Sequence, residues 1–183
     1  MPTVLGHVAT AVALGTACES ERWPRKAYFI GAVCSVLPDL DVIGLRFGVP
    51  YDSAFGHRGF SHSLFAAVAI GLAALLLGFR RKAWSLPLAS YAILAAVSHG
   101  ILDALTSGGR GVGFFAPFDN TRYFLPWRPI RVSPLSLSRI FSQRFWIVLS
   151  SELRWVVLPA LVFSLLMLAV KRGRESGQEH RRA

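Results

Sequence analysis

Two stretches of this chain, Ala83–Leu105 and Phe145–Val170, are apolar over more than twenty residues each. A helix needs roughly 20 apolar residues to cross a hydrocarbon core of about 30 Å. Lipid also excludes backbone that cannot satisfy its own hydrogen bonds, which leaves helices as the natural spanning form here. Three shorter apolar runs come earlier, Val4–Cys18, Ala27–Leu37 and Leu64–Phe79. These reach across by tilting, by recruiting flanking residues, or by sitting partly inside protein. Pro87 and Pro159 do not veto the long segments, because membrane helices tolerate proline. Composition agrees: 53% of residues are hydrophobic and 16% charged, with mean hydropathy +0.46, against about 25% charged in soluble domains. The expected fold class is all-α, a polytopic membrane helical bundle of about 4–5 helices. Residues 1–170 form one embedded domain, and residues 171–183 a basic, disordered tail.

The net charge of +10 would suit nucleic acid, but the basic residues lie in clusters between apolar runs. These are Arg22, Arg25 and Lys26; Arg80, Arg81 and Lys82; and Lys171, Arg172, Arg174, Arg181 and Arg182. That is the positive-inside pattern, so a lipid bilayer and no nucleic acid is the expected partner. It places the tail in the cytoplasm and the N-terminus outside, with the connections Arg46–Ser63 and Thr106–Arg144. The outer face carries eight basic residues against eleven inside, a modest bias. The second outer connection is long and rich in Phe114, Phe115, Phe118, Tyr123, Phe124 and Trp127, which suits an interfacial flap or re-entrant segment. Cys18 and Cys34 both lie in apolar runs and read as small helix residues rather than a disulfide framework. The first segment lacks a basic n-region and reads as a retained helix.

Ionisable side chains are costly in a bilayer, so their placement is informative. Four of the five histidines and three of the five aspartates fall in four short motifs. These are His7; Pro38-Asp39-Leu40-Asp41; His57-Arg58-Gly59-Phe60-Ser61-His62-Ser63; and Ser98-His99-Gly100-Ile101-Leu102-Asp103. The fifth histidine, His180, belongs to the polar tail. Alternation of the helices brings all four motifs to one membrane face, whichever way the molecule is oriented. His99 and Asp103, four apart on a helix, share one side of it. Pro38 is expected to end the second helix and free Asp39 and Asp41. Gly59 permits a turn that folds His57 and His62 together, and Ser61 suits the N-cap of the third helix.

Imidazole with carboxylate favours Zn²⁺, Mn²⁺ or Fe²⁺ over Mg²⁺ or Ca²⁺. The candidate ligands are His7, Asp39, Asp41, His57, His62, His99 and Asp103. They exceed one tetrahedral shell, so either two ions or one ion with supporting residues would use them. Arg58 is a candidate for gripping an anionic substrate group, with a headgroup-facing role as the alternative.

These motifs resemble the YdjM family of bacterial inner-membrane proteins, whose members are regarded as metal-dependent hydrolases. The His-Arg-Gly-Phe-Ser-His-Ser element is the most specific part, and the resemblance covers Met1 to Phe118. It implies an inner-membrane location, a divalent metal cofactor, and hydrolysis; the residues' own chemistry makes Asp41 and Arg58 the catalytic candidates. The order of ligands is also similar to that of zinc-dependent phospholipases C and related nucleases. The absence of their C-terminal His and His-x-x-x-Glu elements speaks against a trinuclear centre. A lipid or lipid-phosphate substrate is expected from the basic, aromatic surroundings, and oligomeric state is left open. A metal-ion transporter or sensor is the alternative, and it calls for ligands near the bilayer midplane. A non-catalytic scaffold would use the same residues for structural hydrogen bonds alone.

Overall fold

The computed structural model describes residues 1–19, 23–80, 84–133 and 143–182, the last with backbone alone at 175 and 178–182. Arg22, Arg81, Lys82 and Arg139, and the side chains of His180, Arg181 and Arg182, therefore lie outside the described atoms.

Each apolar run forms a helical segment. The first run is α1, Val4–Cys18. The second is α2, Arg25–Val36, which passes through a tight 3-10 turn at Leu37–Asp41 into a short α3, Val42–Arg46. The third and fourth are α4, Leu64–Gly78, and α5, Leu86–Ala104. The last comprises α6, Gln143–Glu152, a π turn at Leu153–Val157 and α7, Leu158–Arg182. Among the described residues the only β pairing is two isolated bridges, Thr106 with Ile130 and Val112 with Tyr123.

Three boundaries differ from expectation. Pro38 does not release the two aspartates. It occupies the start of the 3-10 turn, where its missing N–H costs nothing, and the chain keeps winding through Asp39 and Asp41. Arg25–Arg46 consequently becomes a 22-residue span. Ser63, not Ser61, caps α4, its hydroxyl accepting from Ala66 N at 3.0 Å. In place of the expected disordered tail, α7 continues to Arg182.

α5 is the axis of the bundle and packs against α1, α2 and α4. The core is built largely of alanine, including Ala11, Ala27, Ala67, Ala92, Ala95 and Ala96, with Tyr91 filling its centre. Small residues let helices approach closely where lipid supplies no hydrophobic drive between them. Gly71 marks the tightest α4–α5 approach: a Cβ there would lie 2.6 Å from Ile93 Cγ1 and 2.8 Å from its backbone N. The large side chains instead point outward, with Phe65, Val68, Leu72 and Leu76 on α4 and Leu161, Val162, Leu165 and Leu166 on α7 all exposed. Such a continuous apolar exterior belongs against lipid.

By length and composition, Arg25–Arg46, Leu86–Ala104 and Gln143–Arg174 can each cross a membrane. α1 and α4, at 15 residues, are shorter; such a helix extends about 22 Å at 1.5 Å per residue. Polar turns at their ends complete the bundle. The start of α1, the end of α2, the approach to α4 and the end of α5 all meet at one pole of the molecule. The loop 105–133 folds over that pole: Gly113 N donates to Arg58 O, Leu64 N to Phe114 O, and Leu125 N to Ala104 O.

Candidate metal centre

The centre is assembled from α5 outward. His99 and Asp103, one turn apart, are both fully buried. The Nδ1 of His99 lies 2.8 Å from the carbonyl oxygen of Ser35 on α2. A carbonyl can only accept, so Nδ1 holds the proton and Nε2 presents a lone pair inward. That Nε2 stands 2.9 Å from Nε2 of His62 and 3.4 Å from Asp39 Oδ1. His62 Nε2 is in turn 3.6 Å from Asp39 Oδ1 and 3.4 Å from Asp103 Oδ2. Asp39, His62, His99 and Asp103 thus direct four donor atoms to one point.

This geometry asks for a cation. Both oxygens of Asp39 and both of Asp103 are buried without a hydrogen-bond partner. Orphaned buried carboxylate oxygens are among the most costly groups a fold can carry. A tetrahedral ion with bonds near 2.0–2.2 Å sets its ligand atoms roughly 3.3–3.6 Å apart. The neighbouring separations here run from 2.9 to 3.6 Å. Two imidazoles and two carboxylates form a donor set suited to a divalent transition metal.

Asp41 stands behind this group and organises it. Its Oδ2 receives the Ser61 hydroxyl at 2.5 Å and Arg58 N at 3.2 Å, and lies 3.2 Å from His62 Nδ1. Its Oδ1 lies 2.6 Å from His57 Nδ1. Carboxylate behind histidine is the usual device for aiming an imidazole at a metal. Burial opposes charge on His62, but Asp103, Asp39 and Asp41 together overrule it and push this imidazole up to about 10. His57 and His62 therefore share a carboxylate rather than meeting at the four-donor point. Asp41, His57 and the far nitrogen of His62 form a second group spaced closely enough for an ion, yet their facing atoms are already paired with one another. His7 stacks on His99 with ring centroids 4.0 Å apart, its Nε2 4.0 Å from Asp103 Oδ1 and neither nitrogen bonded.

Arg58 is neither at the headgroup layer nor open to solvent. It is buried with φ of 66°, and its guanidinium is spent on protein. Nη1 donates to Gly108 O at 3.0 Å and Nη2 to Thr106 Oγ1 at 3.1 Å. Nε lies 2.9 Å from Asp103 Oδ2, too far off axis for a directed hydrogen bond, so that contact is ionic. The positive φ falls on Arg58 and not on Gly59. Gly59 is needed for clearance, since a Cβ there would lie 2.3 Å from Ala54 O.

Several supporting residues escaped sequence reasoning. Arg122 clamps the loop from outside, donating to His57 O at 2.7 Å, Tyr51 O at 2.9 Å and Ser53 O at 3.2 Å. Glu152, fully buried at the start of the π turn, accepts from Thr3 N at 2.6 Å and Thr3 Oγ1 at 2.5 Å. It pins the beginning of α1, one turn before His7. A signal for Glu152 did exist: it is the single acid within Phe145–Val170, and lone charges in apolar segments demand partners.

An all-α polytopic membrane protein with a buried His/Asp cluster at one pole is the class these features define. The chain belongs to the YdjM family: residues 1–175 match the family described as YdjM inner membrane protein. It is also similar to Inner membrane protein YbcI of Escherichia coli (strain K12), at 39% identity over 163 residues, covering 88% of this chain and 94% of the relative. No solved structure matches the chain.

Proposed function

We propose that this protein is an integral membrane, metal-dependent hydrolase acting at the bilayer surface. The observation that carries the proposal is the convergence of orphaned Asp39 and Asp103 oxygens with the inward nitrogens of His62 and His99. These four would hold one divalent ion, with Zn²⁺ the best fit and Mn²⁺ or Fe²⁺ next. Bound there, the ion would supply Lewis acidity, which can bring the pKa of water toward about 7 and polarise a phosphoryl or carbonyl oxygen.

The chain's own residues supply the rest. Asp41 and Ser35 O orient His62 and His99. His57, paired with Asp41 at 2.6 Å, holds that carboxylate in place behind His62. Arg58 neutralises Asp103 and ties the His57–His62 loop to the end of α5. The loop that covers this pole exposes aromatic residues such as Phe115, Phe118 and Trp127. Lipid-linked phosphoesters are the substrate class this surface suits best. An ion-translocating role would call for ligands midway along the helices, whereas these stand at helix ends.

Detergent-purified protein should carry close to one transition-metal ion per chain by elemental analysis. The loaded protein should hydrolyse a member of a phospholipid and polyprenyl-phosphate panel, and Asp103→Ala should lose both metal and turnover. Metal-free protein with unchanged function defeats the proposal. So does Zn²⁺ uptake into liposomes that His99→Ala abolishes.

A further inference from the structure

We propose that the pole opposite the metal centre binds an anionic glycerophospholipid, its phosphate between Lys26 and Arg80 and an acyl chain along α4 and α5. Two cavities adjoin there and share Leu76 and Trp84. One, of about 550 Å³, runs between Leu72 and Leu75 on α4 and Leu86 and Ala89 on α5, with no charged residue among the described residues of its wall. The other, of about 530 Å³, opens between Lys26 and Arg80. An apolar groove continuous with a cationic mouth matches a molecule that is apolar along its length and negative at its head.

Three details favour that occupant. Trp84 stands at the junction, its Nε1 donating to Phe79 O at 3.3 Å; an indole at such a boundary suits the headgroup level. Lys26 Nζ lies 5.6 Å from the Phe79 ring centroid. Among the described residues, neither Lys26 nor Arg80 forms an ion pair, while Lys171 at the same pole is paired with Glu19. Among the described residues, the charge at the mouth therefore has no acidic partner. Basic pockets between membrane helices take anionic headgroups on this principle. Free phosphate would answer the two cations and leave the groove bare. A zwitterionic lipid would fill the groove but bring its own ammonium to the mouth, leaving the net positive charge there unchanged.

Native mass spectrometry of the full chain in detergent tests this, with phosphatidylglycerol, phosphatidylcholine of the same chains, and inorganic phosphate as probes. Phosphatidylglycerol should bind at least tenfold more tightly than phosphatidylcholine. The double variant Lys26→Gln/Arg80→Gln should weaken phosphatidylglycerol by roughly 20- to 30-fold, at about fivefold per cation, and leave phosphatidylcholine unchanged. Arg172→Gln/Arg174→Gln, which removes equal charge from the exposed surface of α7, should have little effect. Ala89→Trp, filling the groove, should weaken both lipids. Equal affinity for the two lipids overturns the proposal, as does undiminished phosphatidylglycerol binding by the Lys26/Arg80 variant. Inorganic phosphate binding as tightly as the lipid, or an Ala89→Trp protein that binds normally, removes the acyl-chain site and overturns it as well.

Discussion

The nitrogens His62 Nε2 and His99 Nε2 face each other at 2.9 Å, and each ring has its other nitrogen beside a fixed acceptor. Something positive must lie between them. In the ion-free protein it is a proton, because the three surrounding carboxylates hold His62 charged up to about pH 10 against the opposing effect of burial. A metal ion has to displace that proton. The sign follows: below about pH 10 every fall in pH strengthens the competitor, so metal affinity should drop about tenfold per pH unit between pH 8 and 6, with one proton released per ion bound. Calorimetric titration in buffers of different ionisation enthalpy measures the release, and a pH-independent affinity would refute the assignment. The same geometry separates Asp103 from Asp41. Asp103→Ala removes a donor and exposes the Arg58 charge, and should abolish stoichiometric metal. Asp41→Asn leaves four donors but mis-aims His62 and His57, and should weaken binding by about 10- to 100-fold. Sequence alone could nominate all seven ligand candidates, because ionisable residues in an apolar chain stand out. It put His57, His62, His99, Asp103 and Asp39 ahead of Asp41 and His7, but could not see that His57 stands apart from the other four. Whether His57 meets the ion or shares Asp41 with His62 depends on how a turn closes across three elements. Arg58 illustrates the same limit: its type suggested a substrate anion, and only tertiary packing aims it at Thr106, Gly108 and Asp103.

At the scale of elements, helix α1 matches its apolar run to the residue, and α4 differs from its run only in ending at Gly78 rather than Phe79. Membrane helices are legible because the solvent imposes one requirement along their whole length. The connections were less legible. The 3-10 turn through Pro38 keeps Asp39 in a helical path, and this follows from α5 and the loop before α4 packing against it rather than from local preference. The serine that caps α4 is Ser63, because Ser61 is drawn away to Asp41. Helix contacts depend on small residues whose importance a hydropathy reading passes over. Gly71→Val should therefore cost roughly 1–3 kcal/mol, as overpacking does, since even its Cβ would intrude on the Ile93 backbone. Gly177→Ala, inside α7 with nothing within 4 Å of the added carbon, should cost nothing and can stabilise by up to about 1 kcal/mol. Reversible unfolding in mixed detergent micelles provides the comparison. Equal stability of the two variants would show that α4 and α5 do not meet as closely as described.

For the whole molecule, the five apolar helical segments among the described residues alternate in direction, and five crossings would place the two chain ends on opposite sides. The metal centre lies at the pole where α1 begins. The basic clusters at Arg25 and Lys26, Arg80, and Lys171 to Arg174 lie at the other, where Lys171 reaches the Glu19 carbonyl. By the positive-inside rule, the orientation we propose has the basic pole in the cytoplasm and the His/Asp cluster on the far side. The arginines of the loop 105–133 weaken that assignment less than their number suggests. Arg122 is turned inward onto three backbone carbonyls, and Arg110 is paired with Asp52. Cysteine labelling with a membrane-impermeant maleimide decides the matter, with Ala54→Cys reporting the site pole and Gly177→Cys the tail; both positions are exposed. In intact spheroplasts Ala54→Cys should label and Gly177→Cys should not, with the tail becoming reactive once the membrane is permeabilised. The reverse pattern would turn the molecule over and put the His/Asp cluster on the cytoplasmic side, leaving the bundle and its geometry untouched. Labelling of both from the same side would mean an even number of crossings, and one of the two 15-residue helices would then have to lie within a single leaflet.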